Sequence, residues 1–176
     1  MRKSKDLVIE MIICVVTIIL QVYTLFIGSE YNQFSNYLSV GFGILAAIFA
    51  FIYFFNNGSK ESTIWHKLFC IALLLSLSIS FIRNIQTNKN IIDTISTLCM
   101  AIIAAYLTFT KNIGKKMSII LVCVIVLLQI STFTTISDIQ FPKSEVKLLG
   151  IIADTLLTIV LLNSTFAKYI DKESRK

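Results

Sequence analysis

Residues 37–55 read YLSVGFGILAAIFAFIYFF, nineteen positions without one charged side chain. At 1.5 Å per residue a helix of that length measures roughly 28 Å, close to the ~30 Å hydrocarbon thickness of a bilayer. Five more runs of the same character flank it: Leu7 to Ile27, Trp65 to Ile82, Ile91 to Phe109, Met117 to Phe133 and Leu148 to Phe166. Lipid offers no partner to an unpaired backbone amide or carbonyl, so a spanning segment must be a helix or part of a closed barrel. Connections of 7 to 14 residues then favour antiparallel helical hairpins. The expected fold is an all-α integral membrane protein, a single polytopic unit over 1–176 built as a six-transmembrane-helix bundle with spans near 7–27, 37–55, 65–82, 91–109, 117–133 and 148–166.

Composition agrees. Of the 176 residues, 56% are hydrophobic and 15% charged, with a mean hydropathy of +0.80. A soluble domain of this size needs more polar surface than that. Six spans take about 120 residues, and what remains is too little for a soluble catalytic domain. The first run follows the basic segment Met1 to Lys5, as in a signal peptide. It is longer than the roughly 7–15 residues of a signal core and no A-x-A-like site follows, so it is expected to remain as an uncleaved first span.

The net charge of +6 does not point to nucleic acid, because the basic residues sit at the ends of apolar runs rather than on a polar surface. They instead define direction. Arg2, Lys3, Lys5, Lys60, Lys67, Lys111, Lys115, Lys116, Lys168, Lys172, Arg175 and Lys176 fall on one side, twelve in all, and only Arg83, Lys89, Lys143 and Lys147 on the other. Positive residues stay in the cytoplasm, so both termini are expected there. Usage rich in Ile, Lys and Asn resembles that of a low-GC bacterium, and the expected location is a bacterial plasma membrane.

Two short matches hint at internal repetition. Thr108-Phe109-x-Lys111-x-Ile113-x-Lys115 and Thr165-Phe166-x-Lys168-x-Ile170-x-Lys172 share one pattern at an offset of 57 residues, and Asp93-Thr94-x-x-Thr97 matches Asp154-Thr155-x-x-Thr158 at an offset of 61. They raise the expectation of three same-orientation helical hairpin repeats.

Ionisable groups inside a span cost roughly 2.5–3.5 kcal/mol at its centre by insertion scales, so each asks for a partner or a use. Asp154 lies deepest, six residues past Leu148. Asp93, Arg83, Gln129 and Gln21 lie towards the same, outward side. Together the five form a candidate layer for an ion or polar ligand, with Arg83 available to either aspartate. On the cytoplasmic side Glu10 is expected to meet Lys67 or Lys111, and Trp65-His66-Lys67 reads as an interfacial anchor. Small residues mark where helices approach closely: Gly43, Ala47 and Ala50 (with Ala46) on the second span, Ser76 and Ser80 on the third, Ala101 and Ala105 on the fourth.

Chemistry is mostly excluded. A single histidine cannot supply a zinc-peptidase pair, no G-x-S-x-G or G-x-x-x-x-G-K occurs, and the four cysteines (Cys14, Cys70, Cys99, Cys123) lie in apolar runs with no CxxC. No metal and no cofactor is expected. Asn90-Ile91-Ile92-Asp93 and Ala153-Asp154 resemble, over these few residues, the N-x-x-D and A-D elements of the lipoprotein signal peptidases. That resemblance implies an aspartate dyad activating water. The chain departs from those four-span enzymes in its six spans and in the 61 residues between its acids.

The leading expectation is a non-enzymatic membrane protein acting by contact with other membrane proteins or peptides, of accessory, regulatory or immunity type, or by self-association. A transport or channel subunit using Asp154, Asp93 and Arg83 comes second. An intramembrane aspartyl protease comes third. The one proline in the chain, Pro142, lies in a connecting segment, so the helices are continuous and alternating access through broken helices is disfavoured.

Overall fold

A computed structural model describes residues 4–27, 34–56, 62–86, 90–110, 113–134 and 143–173. They form six helices: α1 (Ser4–Ile27), α2 (Phe34–Phe55), α3 (Ser62–Gln86), α4 (Ile91–Phe109), α5 (Lys115–Thr134) and α6 (Lys143–Glu173). There is no strand among the described residues. All six are long and apolar enough to cross a membrane. The apolar runs located each helix but not its ends. α6 has 31 residues because Lys, Glu and Ala continue a helix well beyond the point where hydropathy fades. α4 starts where Asn90 Oδ1 accepts from the Ile92 N–H at 3.2 Å, an N-cap that fixes the first turn.

Neighbours in sequence pack as neighbours in space, from α1 through α5, and α6 closes the ring between α5 and α1. α6 also touches α2, α3 and α4, so it leans into the middle of the bundle. The near end of the bundle is where α1, α3 and α5 begin and α6 finishes. The far end is where α2, α4 and α6 begin.

Large apolar side chains cover the outside, and several polar ones are buried beside the apolar core. The buried positions of α1 are Glu10, Cys14, Thr17, Gln21 and Thr24, spaced 4-3-4-3 along one stripe. Its outward positions include Val8, Ile12, Val16, Ile19 and Phe26, all exposed. The same contrast holds on α4, where Asp93, Ser96, Met100, Ile103 and Leu107 are buried while Ile92, Ile95, Ile102 and Phe109 are exposed. Apolar side chains outside and polar ones inside suit a surrounding that is itself apolar.

Small residues set the closest approaches. α2 and α3 are the most extensively packed pair, with Ser39, Gly43, Ala46, Ala47 and Ala50 buried on α2 and Ala72, Ser76 and Ser80 buried on α3. Ser39 Oγ donates to the Ser76 carbonyl at 3.1 Å and Ser76 Oγ to the Ser39 carbonyl at 2.8 Å. With its proton so used, Ser39 Oγ accepts from Ser80 at 2.6 Å. Three hydroxyls are thus satisfied without water. Ala101 and Ala105 are half-buried on α4, beside the stripe of Met100, Ile103, Ala104 and Leu107.

Gly43 is the contact point of α1 with α2. A methyl group there would lie 2.8 Å from Gln21 Nε2 and 3.1 Å from its Cδ, and Gln21 is only 3% exposed, so the amide has little room to retreat. Gly43→Ala should therefore destabilise the bundle by about 1–3 kcal/mol in reversible unfolding from detergent. In a Gln21→Ala background the same change should lose at least half of that effect, and an undiminished effect would show that the two residues do not touch.

Candidate functional site

Two polar groups of side chains lie inside the bundle, one at each end, and α6 contributes to both. At the near end Glu10 is 4% exposed and accepts from Asn163 Nδ2 at 2.8 Å, joining α1 to α6. Lys111, one expected partner of Glu10, lies outside the described residues, and Lys67 is exposed. His66 departs from its sequence reading. It is 6% exposed and interior rather than an interfacial anchor, whereas Trp65 beside it is half-buried against Phe49, ring centroids 5.9 Å apart.

His66 reaches α6 through a 3.0 Å bond between Nε2 and Ser164 Oγ. The Ser164 hydroxyl has one proton and two acceptors in reach, the Leu161 carbonyl at 2.7 Å and, in one imidazole tautomer, Nε2. Nδ1 faces Cys70 Sγ at 3.6 Å. Tyr53 closes the group edge-on, 5.1 Å from the imidazole. The arrangement is a buried clasp between α3 and α6.

At the far end Asp93, 4% exposed, forms an ion pair with Lys147 at 2.5 Å between α4 and α6. Asp93 sits in the first turn of α4, where the helix dipole favours an anion. Its carbonyl accepts from Thr97 Oγ1 at 2.7 Å, and Thr97 in turn accepts from Asn84 Nδ2 on α3 at 3.0 Å. Ser96 donates to the Leu128 carbonyl at 3.0 Å and fastens α5 to α4. Arg83 donates from Nη1 to Asn36 Oδ1 at the start of α2.

Asp154 lies seven residues below Lys147 on the same face of α6, roughly 10 Å deeper. It is half-buried and within electrostatic reach of Arg83. Among the described residues its carboxylate makes no hydrogen bond or ion pair, and only its backbone carbonyl is engaged, by Thr158 Oγ1 at 2.8 Å. The expected layer is therefore divided. Arg83 and Asp154 share a neighbourhood, Asp93 is held by Lys147, and Gln21 packs on Gly43. Gln129 lies elsewhere, on the flank of α5 in a groove against α6. Asn90, part of the N-x-x-D pattern, is the exposed cap of α4.

That groove has a volume of about 330 Å³ and opens to the side of the bundle. Val126, Gln129, Ile130 and Phe133 of α5 form one wall, and Ile151, Ile152, Thr155 and Leu156 of α6 the other. α5 is the least embedded helix. Only Leu121, Ile125 and Thr132 are buried, with Leu128 half-buried on the same stripe. Thr155 Oγ1 donates to the Ile151 carbonyl at 2.6 Å. The Gln129 amide meets no hydrogen-bond partner among the described residues.

No family model matches the chain, and neither a curated protein nor a solved structure matches it. The geometry alone yields one direct check. Asp93→Asn and Lys147→Met should each destabilise by about 2–4 kcal/mol, since each breaks the largely buried ion pair between α4 and α6. The double variant should lose about 1–3 kcal/mol less than the sum. Strict additivity would mean the pair is not formed.

Proposed function

We propose that the chain is a multi-pass protein of a bacterial plasma membrane, with both termini cytoplasmic, that works without catalysis by docking a transmembrane helix of another membrane protein or peptide. Twelve basic residues flank the apolar runs on one side against four on the other, counted along the sequence, and this supports the orientation. The apolar exterior of α1 to α5 and the apolar length of all six helices support insertion. The sequence matches at offsets of 57 and 61 residues support the descent of α3–α4 and α5–α6 from one hairpin, as part of a threefold repeat.

The observation that carries the reading is the flank of α5. Inside the bundle polar groups largely bind one another, the Ser164 hydroxyl among them. The groove between α5 and α6, by contrast, is apolar and open sideways, and it is bordered by Gln129, whose amide makes no hydrogen bond among the described residues. An unpaired amide at a lipid-facing position is unfavourable by several kcal/mol, and a helix bringing its own polar side chain relieves that.

The experiment is affinity purification in mild detergent. Wild type should retain a stoichiometric membrane partner, and Ile130→Trp should cut its recovery at least tenfold. Ile19→Trp, on the exposed face of α1, should leave it unchanged. Equal recovery from all three would refute docking at this groove.

A second reading rests on Asp154, whose carboxylate is left without a direct partner near Arg83. It is a site for an ion or polar solute in a transport subunit. Asp154→Asn should then abolish solute flux into vesicles while the melting temperature stays within a few degrees of wild type. Flux independent of Asp154 removes this reading.

A further inference from the structure

His66 and Cys70 stand four residues apart on α3 and so share one face of that helix. Their Nδ1 and Sγ atoms lie 3.6 Å from each other, deep in the bundle, with His66 6% and Cys70 1% exposed. A thiol is a weak hydrogen-bond donor and a weak acceptor, yet it is the group set against this face of the imidazole. The other ring nitrogen, Nε2, is tied to Ser164 Oγ on α6 at 3.0 Å, and that hydroxyl lies 2.7 Å from the Leu161 carbonyl. The rings of Tyr53 and Phe69 meet the imidazole edge-on, with centroids at 5.1 and 6.3 Å.

A sulfur facing one imidazole nitrogen, while a second helix braces the other nitrogen, is the way a metal-ligating histidine is held. We propose that Cys70 Sγ and His66 Nδ1 are the two ligands of a soft monovalent cation, copper(I) or its analogue silver(I), and that Ser164 is the positioning residue behind the imidazole. The site is independent of the docking reading, since both ligands lie in the interior. No CxxC is needed for it, because one helical turn brings His66 and Cys70 together.

Ligand number, softness and charge select this class of ion. Among the described residues no three of His, Cys, Asp and Glu stand close enough to share a metal, so zinc lacks the four ligands of its structural sites, whereas copper(I) and silver(I) are content with two. Thiolate sulfur favours copper(I). Binding breaks the Cys70 S–H bond, forms an S–metal bond and releases one proton, so the single negative charge of the thiolate cancels the ion and the neutral imidazole completes the shell. A divalent ion in the same place would leave one uncompensated positive charge in an apolar interior. With zinc's bond lengths as a scale, about 2.3 Å to sulfur and about 2.0 Å to nitrogen, an ion fits the observed gap at a bent angle and becomes linear once the two atoms part by about 0.7 Å. Coordination through Nδ1 requires hydrogen on Nε2, the tautomer in which Nε2 donates to Ser164 Oγ and Oγ donates to the Leu161 carbonyl.

The test uses full-length protein in mild detergent and chloride-free buffer. Its parent carries Cys99→Ser and Cys123→Ser, because those thiols are half-buried and exposed. In equilibrium dialysis against silver(I) the parent should bind one ion per chain and, once loaded, melt at a higher temperature. Cys70→Ala and His66→Gln should each weaken binding at least tenfold and lose the thermal shift. Cys14→Ala, which removes a buried thiol of α1 that makes no bond to His66, should leave both unchanged. Ser164→Ala should weaken binding about tenfold, and Ser164→Thr, which keeps the hydroxyl, should restore it. Silver-edge X-ray absorption of the loaded parent should show one sulfur and one nitrogen on the metal, a measurement that depends on no substitution at the site.

Uptake by Cys70→Ala or His66→Gln equal to that of the parent would overturn the proposal. So would a metal shell without nitrogen or with more than one sulfur, or the absence of stoichiometric uptake. Binding undiminished by Ser164→Ala would overturn the role given to Ser164.

Discussion

Six helices with apolar exteriors gain little by pressing those exteriors together in an apolar surrounding, so cohesion must come from close packing and from polar groups that have nowhere else to turn. That constraint explains the buried stripe of α1, where Glu10, Thr17, Gln21 and Thr24 face inward and the isoleucines and valines face out. In water the same helix would be inside out. Each inward polar side chain adds a directional demand, and the demands fix which helix stands beside which and at what height.

The demands are met unevenly, and the unevenness maps the molecule. Between α2 and α3 they are met by serines, which are small enough to let the backbones approach and polar enough to bind across the gap, at about 0.6 kcal/mol per interhelical bond. At each end a longer side chain from α6 reaches across. Asn163 and Ser164 engage α1 and α3 at the near end, while Lys147 engages α4 at the far end. Among the described residues the Asp154 carboxylate inside and the Gln129 amide on the flank make no such bond.

Much of this was legible in the chain and some was not, for definite reasons. The six spans follow from hydropathy because bilayer thickness is a strict ruler. Gly43, Ala47, Ala50, Ser76 and Ser80 lie where small residues allow helices to meet. The 4-3-4-3 spacing of Glu10, Cys14, Thr17, Gln21 and Thr24 was also present in the sequence, but it becomes informative only when polar rather than apolar positions are followed round the helix. Lys147 was counted as a mark of orientation, and its second role depends on α4 and α6 being parallel neighbours, a tertiary fact. His66 was assigned to the boundary by its neighbours Trp65 and Lys67, yet consecutive residues on a helix point about 100° apart, so one of three can face the core. Gln129 was grouped with Asp154 by depth alone, and depth does not tell which side of a helix a residue occupies.

α6 is the last of the six to leave the ribosome, and Glu10, His66 and Asp93 each wait for it. Until Asn163, Ser164 and Lys147 have been synthesised, these side chains lack their contacts with α6. The earlier helices must therefore be held by one another through most of translation. A chain arrested before residue 147 would carry Glu10, His66 and Asp93 without any of their α6 partners.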